Sequence, residues 1–179
     1  MTDVAKAYGG ALYELGLELG KTKELLEEAT ALKDAFSQNP KFAKLLVTPT
    51  LQKDERLKIV DDCFKGKVDQ NLVNFIKILT ENGTVGEFSN CVVEFRNRYN
   101  HDNNIEEIVV VSAVALSSDQ MQRLNKKLSD LTGKTILMSN KIDPSIIGGI
   151  HLEMEGTELE GSVKGKLDVL RQKLTGITI

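Results

Sequence analysis

The sequence predicts an α+β protein of two domains: an N-terminal six-helix bundle over residues 1–104, followed by a small C-terminal mixed β-sheet domain with two helices over residues 105–179. Three observations predict it. Apolar residues recur at three-and-four spacing throughout the first part. A β-branched run, Ile108-Val109-Val110-Val111, then changes the grammar to that of a buried strand. Between the two lies a polar cluster, Asn100, His101, Asp102, Asn103 and Asn104, that breaks the helical pattern and marks the boundary. The chain has 179 residues, 41% hydrophobic and 27% charged with 3 prolines, a globular composition long enough for one large domain or two small ones.

In the first helix Val4, Tyr8, Ala11, Leu12, Leu15 and Leu19 share a face, and Gly20 supplies the stop. The second carries Leu25, Leu26, Ala29, Leu32 and Phe36. Asn39-Pro40 opens a short third helix, with Asn as cap and Pro at the first position, and Thr48-Pro49 ends it. Leu57, Val60 and Phe64 mark a fourth that closes near Gly66; Leu72, Phe75, Ile76 and Leu79 mark a fifth that closes at Asn82-Gly83. Thr84 and Glu87 read as a capping box for the sixth, whose stripe is Val85, Phe88, Val92, Phe95 and Tyr99. In the second domain Ser117 and Gln120 read as another capping box. It precedes the stripe Met121, Leu124, Leu128, Leu131, which Gly133 terminates. Extended segments follow around Ile136 to Asn140 and Ile146 to Met154, with a turn at Asp143-Pro144, a short fourth over Thr157 to Glu160, and a closing helix from Ser162 with Val163, Leu167, Leu170 and Leu174.

Lys plus Arg (23) against Asp plus Glu (26) gives a net charge of -3, divided evenly between the halves. That balance argues against nucleic acid as a partner and against an anionic membrane surface. The longest apolar run, Ile108 to Leu116, is far short of a bilayer span, and Met1-Thr2-Asp3 lacks a secretory signal, so no direct membrane insertion and a cytoplasmic location are expected. Cys63 and Cys91 fall in apolar helical patterns, without ligand or redox spacing, and are expected as buried thiols.

Gly133-Lys134-Thr135 resembles the end of a phosphate-binding loop, but Leu128 stands where the earlier glycine belongs, and the tripeptide leads from helix to strand, the reverse of that loop's order. Gly148-Gly149 and Gly156 to Gly165 form no dinucleotide fingerprint. His101 and His151 have no metal spacing and are expected as solvated side chains. Asp61-Asp62, Glu106-Glu107 and Glu158/Glu160 fall on exposed faces with nothing local to shift a pKa. No catalytic residue, cofactor site or metal site is expected. What remains is a surplus of apolar helix surface. The ridge Gly10, Tyr13, Leu17 of the first helix lies on another side from Tyr8, Leu12, Leu15. Periodicity leaves two readings open: a central helix covered by its own bundle, or a ridge that forms a groove for a partner helix together with part of the fifth helix.

Three segments resemble the delta subunit family of the F-type ATP synthase, which is similar also to the mitochondrial oligomycin-sensitivity-conferring protein. They are Ala7-Tyr8-Gly9-Gly10-Ala11-Leu12, Asn74 through Gly83, and the stretch from Ile136 that includes Ile142-Asp143-Pro144-Ser145-Ile146-Ile147-Gly148-Gly149-Ile150. Gly161-Ser162-Val163-Lys164-Gly165-Lys166-Leu167 is similar to the family's terminal helix. Glu160 replaces the usual Asp, and Gly9-Gly10 replaces better helix formers at a cost of about 0.5 to 1 kcal/mol each, while letting another helix approach closely.

The resemblance implies a non-catalytic stator subunit of a rotary proton- or sodium-translocating enzyme. It would sit as one copy in a hetero-oligomeric complex at the top of the peripheral stalk, on the cytoplasmic face of the cell membrane. It implies that the first domain holds the N-terminal helix of the alpha subunit between its first and fifth helices, and that the second receives the C-terminal ends of the b-subunit helices. The groove residues implied are Tyr8, Ala11, Leu12, Leu15, Asn74 and Ile78. The alternatives are a nucleotide-binding regulator resting on Gly133-Lys134-Thr135 and a free-standing helix-binding adaptor.

Overall fold

The computed structural model describes residues 2–48, 51–146, 148–154 and 157–160, and the chain divides into two compact units, Met1–Tyr99 and Asn100–Ile179. The predicted closing helix from Ser162, Gly156, the stretch Gly161 to Gly165, and Pro49 lie outside the described residues.

In the first unit the helices are α1 (Asp3–Glu18), α2 (Thr22–Gln38), α3 (Pro40–Leu46), α4 (Lys53–Phe64), α5 (Gln70–Glu81) and α6 (Phe88–Asp102). The Thr2 hydroxyl begins α1 by accepting the Ala5 N–H at 3.2 Å. At its other end Gly20 turns left-handed, φ +64, and Lys21 N–H reaches back to the Gly16 carbonyl at 3.0 Å. The apolar stripes close on one core in which Leu12, Leu25, Leu72, Ile76, Leu79, Phe88, Val92 and Phe95 are all within 2% of full burial. Phe88 links the rings of Phe75 and Phe36, at 6.2 and 5.1 Å between centroids. The surplus apolar surface of α1 is largely used inside the bundle. A Cβ on Gly9 would stand 2.5 Å from the Cys91 carbonyl oxygen, and one on Gly10 would stand 2.7 Å from the Arg98 guanidinium, so α6 lies directly on the glycine pair. Tyr13 meets Phe95 edge-on at 5.6 Å, whereas Leu17 remains 52% exposed.

Two predicted caps form differently. Asn39 precedes α3, but its amide donates to the Ala35 carbonyl at 3.1 Å and so closes α2. Thr84 makes no capping box. Its N–H bonds the Leu79 carbonyl at 2.8 Å while Gly83 N–H bonds Thr80, so Thr84 finishes α5. Val85–Glu87 then form a 3-10 turn, and α6 starts at Phe88. Nor does the polar cluster end α6 at its first residue: the helix continues through Asp102, and the break falls at Asn104, φ 52.

In the second unit β1 (Ile105–Ser112), α7 (Ser118–Thr132), β2 (Thr135–Ile142), β3 (Ile150–Met154) and β4 (Thr157–Glu160) build a mixed sheet ordered β2-β1-β3-β4, with β1 and β2 parallel and the other pairs antiparallel. Helix α7 covers one face, where Ile108, Val110, Leu128, Ile136 and Leu152 pack together. The Ser117–Gln120 capping box is present, with bonds of 3.3 and 2.9 Å. The third extended segment starts later than the sequence predicts. Asp143 accepts the Ser145 N–H at 2.9 Å and Pro144–Ile146 form a 3-10 turn, which delays β3 to Ile150.

Candidate partner-binding groove

One strip that combines apolar character with exposure runs along α1 and α5. Tyr8 holds the two together: its hydroxyl accepts from the Asn82 amide at 2.9 Å, and its ring stands edge-on to Phe75 at 6.5 Å. On α1 the residues at one edge of the buried face are Val4, Tyr8, Ala11 and Leu15; Tyr8 and Leu15 are half-buried, and Val4 and Ala11 are exposed. On α5 Asn74 is exposed, its side-chain oxygen accepting from Gln70 at 3.1 Å, and Ile78 is 45% exposed while its neighbour Leu79 is fully buried. An isoleucine left this open next to a completed core costs apolar hydration that a partner surface would remove.

Of the six residues expected in the groove, Tyr8, Ala11, Leu15, Asn74 and Ile78 reach this surface. Leu12 does not. It is 2% exposed and belongs to the core, because it lies about 20 degrees around the helix from fully buried Ala5, between that residue and the half-buried Tyr8. Sequence reasoning missed Asn82, which reads as a helix stop and also bonds Tyr8. The buried side of α5 is fixed by the core, and its flank by ion pairs: Lys77 to Asp61 of α4 at 2.6 Å, and Glu81 to Lys53 at 3.4 Å.

Away from the groove, two of the described groups have shifted pKa values. Glu87 accepts hydrogen bonds from Asn90 and from the Thr2 hydroxyl, and the two hold its carboxyl below the usual carboxylate range. Burial, with the Glu87 charge nearby, pushes the Cys91 thiol up to about 11. Cys63, by contrast, is only half-buried, because α4 presents it at the rim of the core beside Phe64. His101 is exposed and bonded to Asp102 at 3.0 Å, whereas His151 is half-buried in β3, opposite Val111 of β1. The Gly133-Lys134-Thr135 segment is a helix end: Gly133 is left-handed, φ 68, Ser129 bonds the Lys134 carbonyl at 2.8 Å, and the Lys134 ammonium is paired with Glu106. Among the described residues, no group of His, Cys, Asp and Glu is placed to hold a metal ion, and no helix is long and apolar enough to cross a membrane.

The fold has counterparts among known proteins. The ATP synthase delta (OSCP) subunit family matches residues 4–174. The ATP synthase subunit delta of Lachnoclostridium phytofermentans is 31% identical over 177 residues, covering 98% of this chain and 97% of that one. Its counterpart in Clostridioides difficile (strain 630) is 29% identical over 175 residues, 97% of each chain. A chain of the mitochondrial ATP synthase hexamer of Toxoplasma gondii shares the fold, with a TM-score of 0.76 at 16% identity over 97% of this chain and 98% of that one. With the family match running from Val4 nearly to the C-terminus over these helices and this sheet, the chain belongs to the ATP synthase delta (OSCP) subunit family.

Proposed function

We propose that this chain is the non-catalytic stator subunit that ties the catalytic head of a rotary F-type ATP synthase to its peripheral stalk. Rotation of the central shaft would carry the head around with it unless the head is tied to the membrane sector. In this reading residues 1–104 clamp the N-terminal helix of the alpha subunit along α1 and α5, and residues 105–179 receive the C-terminal ends of the b-subunit helices. The protein then works as one copy in the complex, peripheral on the cytoplasmic face of the membrane. The observation that carries the reading is the Ile78–Tyr8–Leu15 strip, in which exposed Ile78 and half-buried Tyr8 and Leu15 lie beside a completed core. A helix laid there buries apolar side chains worth roughly 1.5 to 3 kcal/mol each, a grip that needs no catalytic group.

Calorimetric titration with a synthetic alpha N-terminal peptide tests it. One-to-one binding at micromolar or tighter affinity is expected, and no binding would contradict the clamp. In the same instrument ATP and ADP should bind no better than millimolar, because Lys134 is engaged by Glu106 and Gly133 caps a helix. Micromolar nucleotide binding would favour the regulator reading instead.

A further inference from the structure

Helices α2, α3 and α4 enclose a second concavity, built from none of the groove residues. Two adjoining hollows of about 270 and 550 Å³ share Asn39 and Phe42 and form a trough. Its wall is aromatic. Phe36 and Phe64 stack at 6.0 Å, and Phe42 meets Phe64 edge-on at 5.7 Å, so the rings hold one another in place before anything binds. Leu45, 40% exposed, extends the apolar surface along α3. Among the described residues no carboxylate lines either hollow, whereas Lys41 does. Lys44 and Lys65, the residue after Phe64, are exposed nearby in the chain. Among the described ion pairs none engages Lys41, Lys44 or Lys65, although Lys21, Lys53, Lys77 and Lys134 each have a carboxylate. The acids closest in sequence, Asp34 and Asp62, are exposed and line neither hollow.

We propose that this trough is a second docking surface, which takes an amphipathic helix of another protein of the complex, with a bulky apolar residue set against Phe36, Phe42 and Phe64 and acidic residues facing Lys41 and Lys44. A cleft between helices with an apolar floor and a one-sign rim is the geometry of helix-in-groove recognition, and the ammonium groups of the rim select the sign of the partner's charge. The inference goes beyond the α1–α5 groove, and its test does not touch that groove.

Cys63 lines the trough and reports on it. The chain has 2 cysteines, and Cys91 is fully buried with its thiol pushed up to about 11, so at neutral pH a maleimide reads Cys63 alone. The alkylation rate is measured on the isolated full-length chain and on the assembled ATP synthase that contains it. Slowing of tenfold or more in the assembly is expected. Lys41→Glu should restore rapid alkylation, or release the chain from the purified enzyme, with an unchanged melting temperature. Equal rates in the two samples would overturn the proposal, as would slowing that Lys41→Glu leaves intact. Protection already present in the isolated chain would also overturn it: protection lost on lipid extraction identifies a long-chain acid as the occupant, and protection that rises with concentration identifies a second copy.

Discussion

Ile78 and Leu79 are adjacent on α5, yet one is 45% exposed and the other fully buried, since one residue turns a helix by about 100 degrees. Ile78→Glu should leave the melting temperature nearly unchanged and weaken alpha-peptide binding about tenfold to a hundredfold, the loss of roughly 1.4 to 3 kcal/mol. Leu79→Glu should destabilise the bundle itself by placing an unpaired charge in the core. Thermal melts beside calorimetric titrations separate the two effects. Gly9→Ala tests the closeness of α6: the added methyl meets a backbone carbonyl oxygen at 2.5 Å, so the variant should lose about 1 to 3 kcal/mol in urea unfolding in spite of alanine's better helix propensity. Cys91 gives a pH signature. Its folded pKa, about 11, lies above the ordinary thiol value of 9.0, so the neutral thiol is favoured in the native state. The stability it contributes is complete below about 9 and is lost as pH rises toward 11, because the unfolded thiol ionises first. Cys91→Ala should flatten that part of the stability profile relative to the parent. At this scale the sequence is partly legible. Periodicity distinguishes Ile78 from Leu79, but it does not show that Leu12 belongs to the core, since Tyr8, Leu12 and Leu15 lie within one apolar arc and only the positions of the other helices divide it.

At the scale of elements, strong periodicity makes the helices readable and competition between neighbouring motifs blurs their ends. Ser117-x-x-Gln120 and Thr84-x-x-Glu87 carry the same capping grammar, yet only the first forms a box. Thr84 directly follows Gly83, φ 68, and its N–H is taken by the Leu79 carbonyl, so the stop of α5 wins over the start of α6. Glu87 is left to bind the Thr2 hydroxyl at 2.7 Å, tying the start of α1 to the turn before α6. Asn140 is the element-scale feature that sequence reasoning missed. In β2 it donates to the Val110 carbonyl and the buried Ser112 hydroxyl, both at 2.8 Å, and accepts the Leu116 N–H at 3.0 Å, fixing the exit of β1 toward α7. No local pattern signals this, because all three partners lie at least 24 residues away in the chain. Asn140→Ala should cost about 2 to 3 kcal/mol, on the basis of roughly 1 kcal/mol for each lost hydrogen bond, measured as a shift in the urea midpoint.

For the whole molecule, the change of grammar after the helical stripes is legible and the sharpness of the boundary is not: the division into compact units falls inside the last turn of α6, whose polar residues Asn100 to Asp102 remain helical. A fragment of residues 1–104 keeps α6 whole, and should therefore fold alone with a helical circular-dichroism spectrum and a cooperative melt. A coil-like spectrum would contradict it. The proposal that one chain joins head to stalk through two units is tested by a bridging measurement: immobilise the alpha N-terminal peptide, add the chain, and ask whether a segment from the C-terminal end of b is retained. Retention of b is expected only when the full-length chain is present, with the 1–104 fragment bound to the peptide yet unable to hold b. Failure of the peptide-bound full-length chain to retain b, or retention of b by the fragment alone, would contradict it.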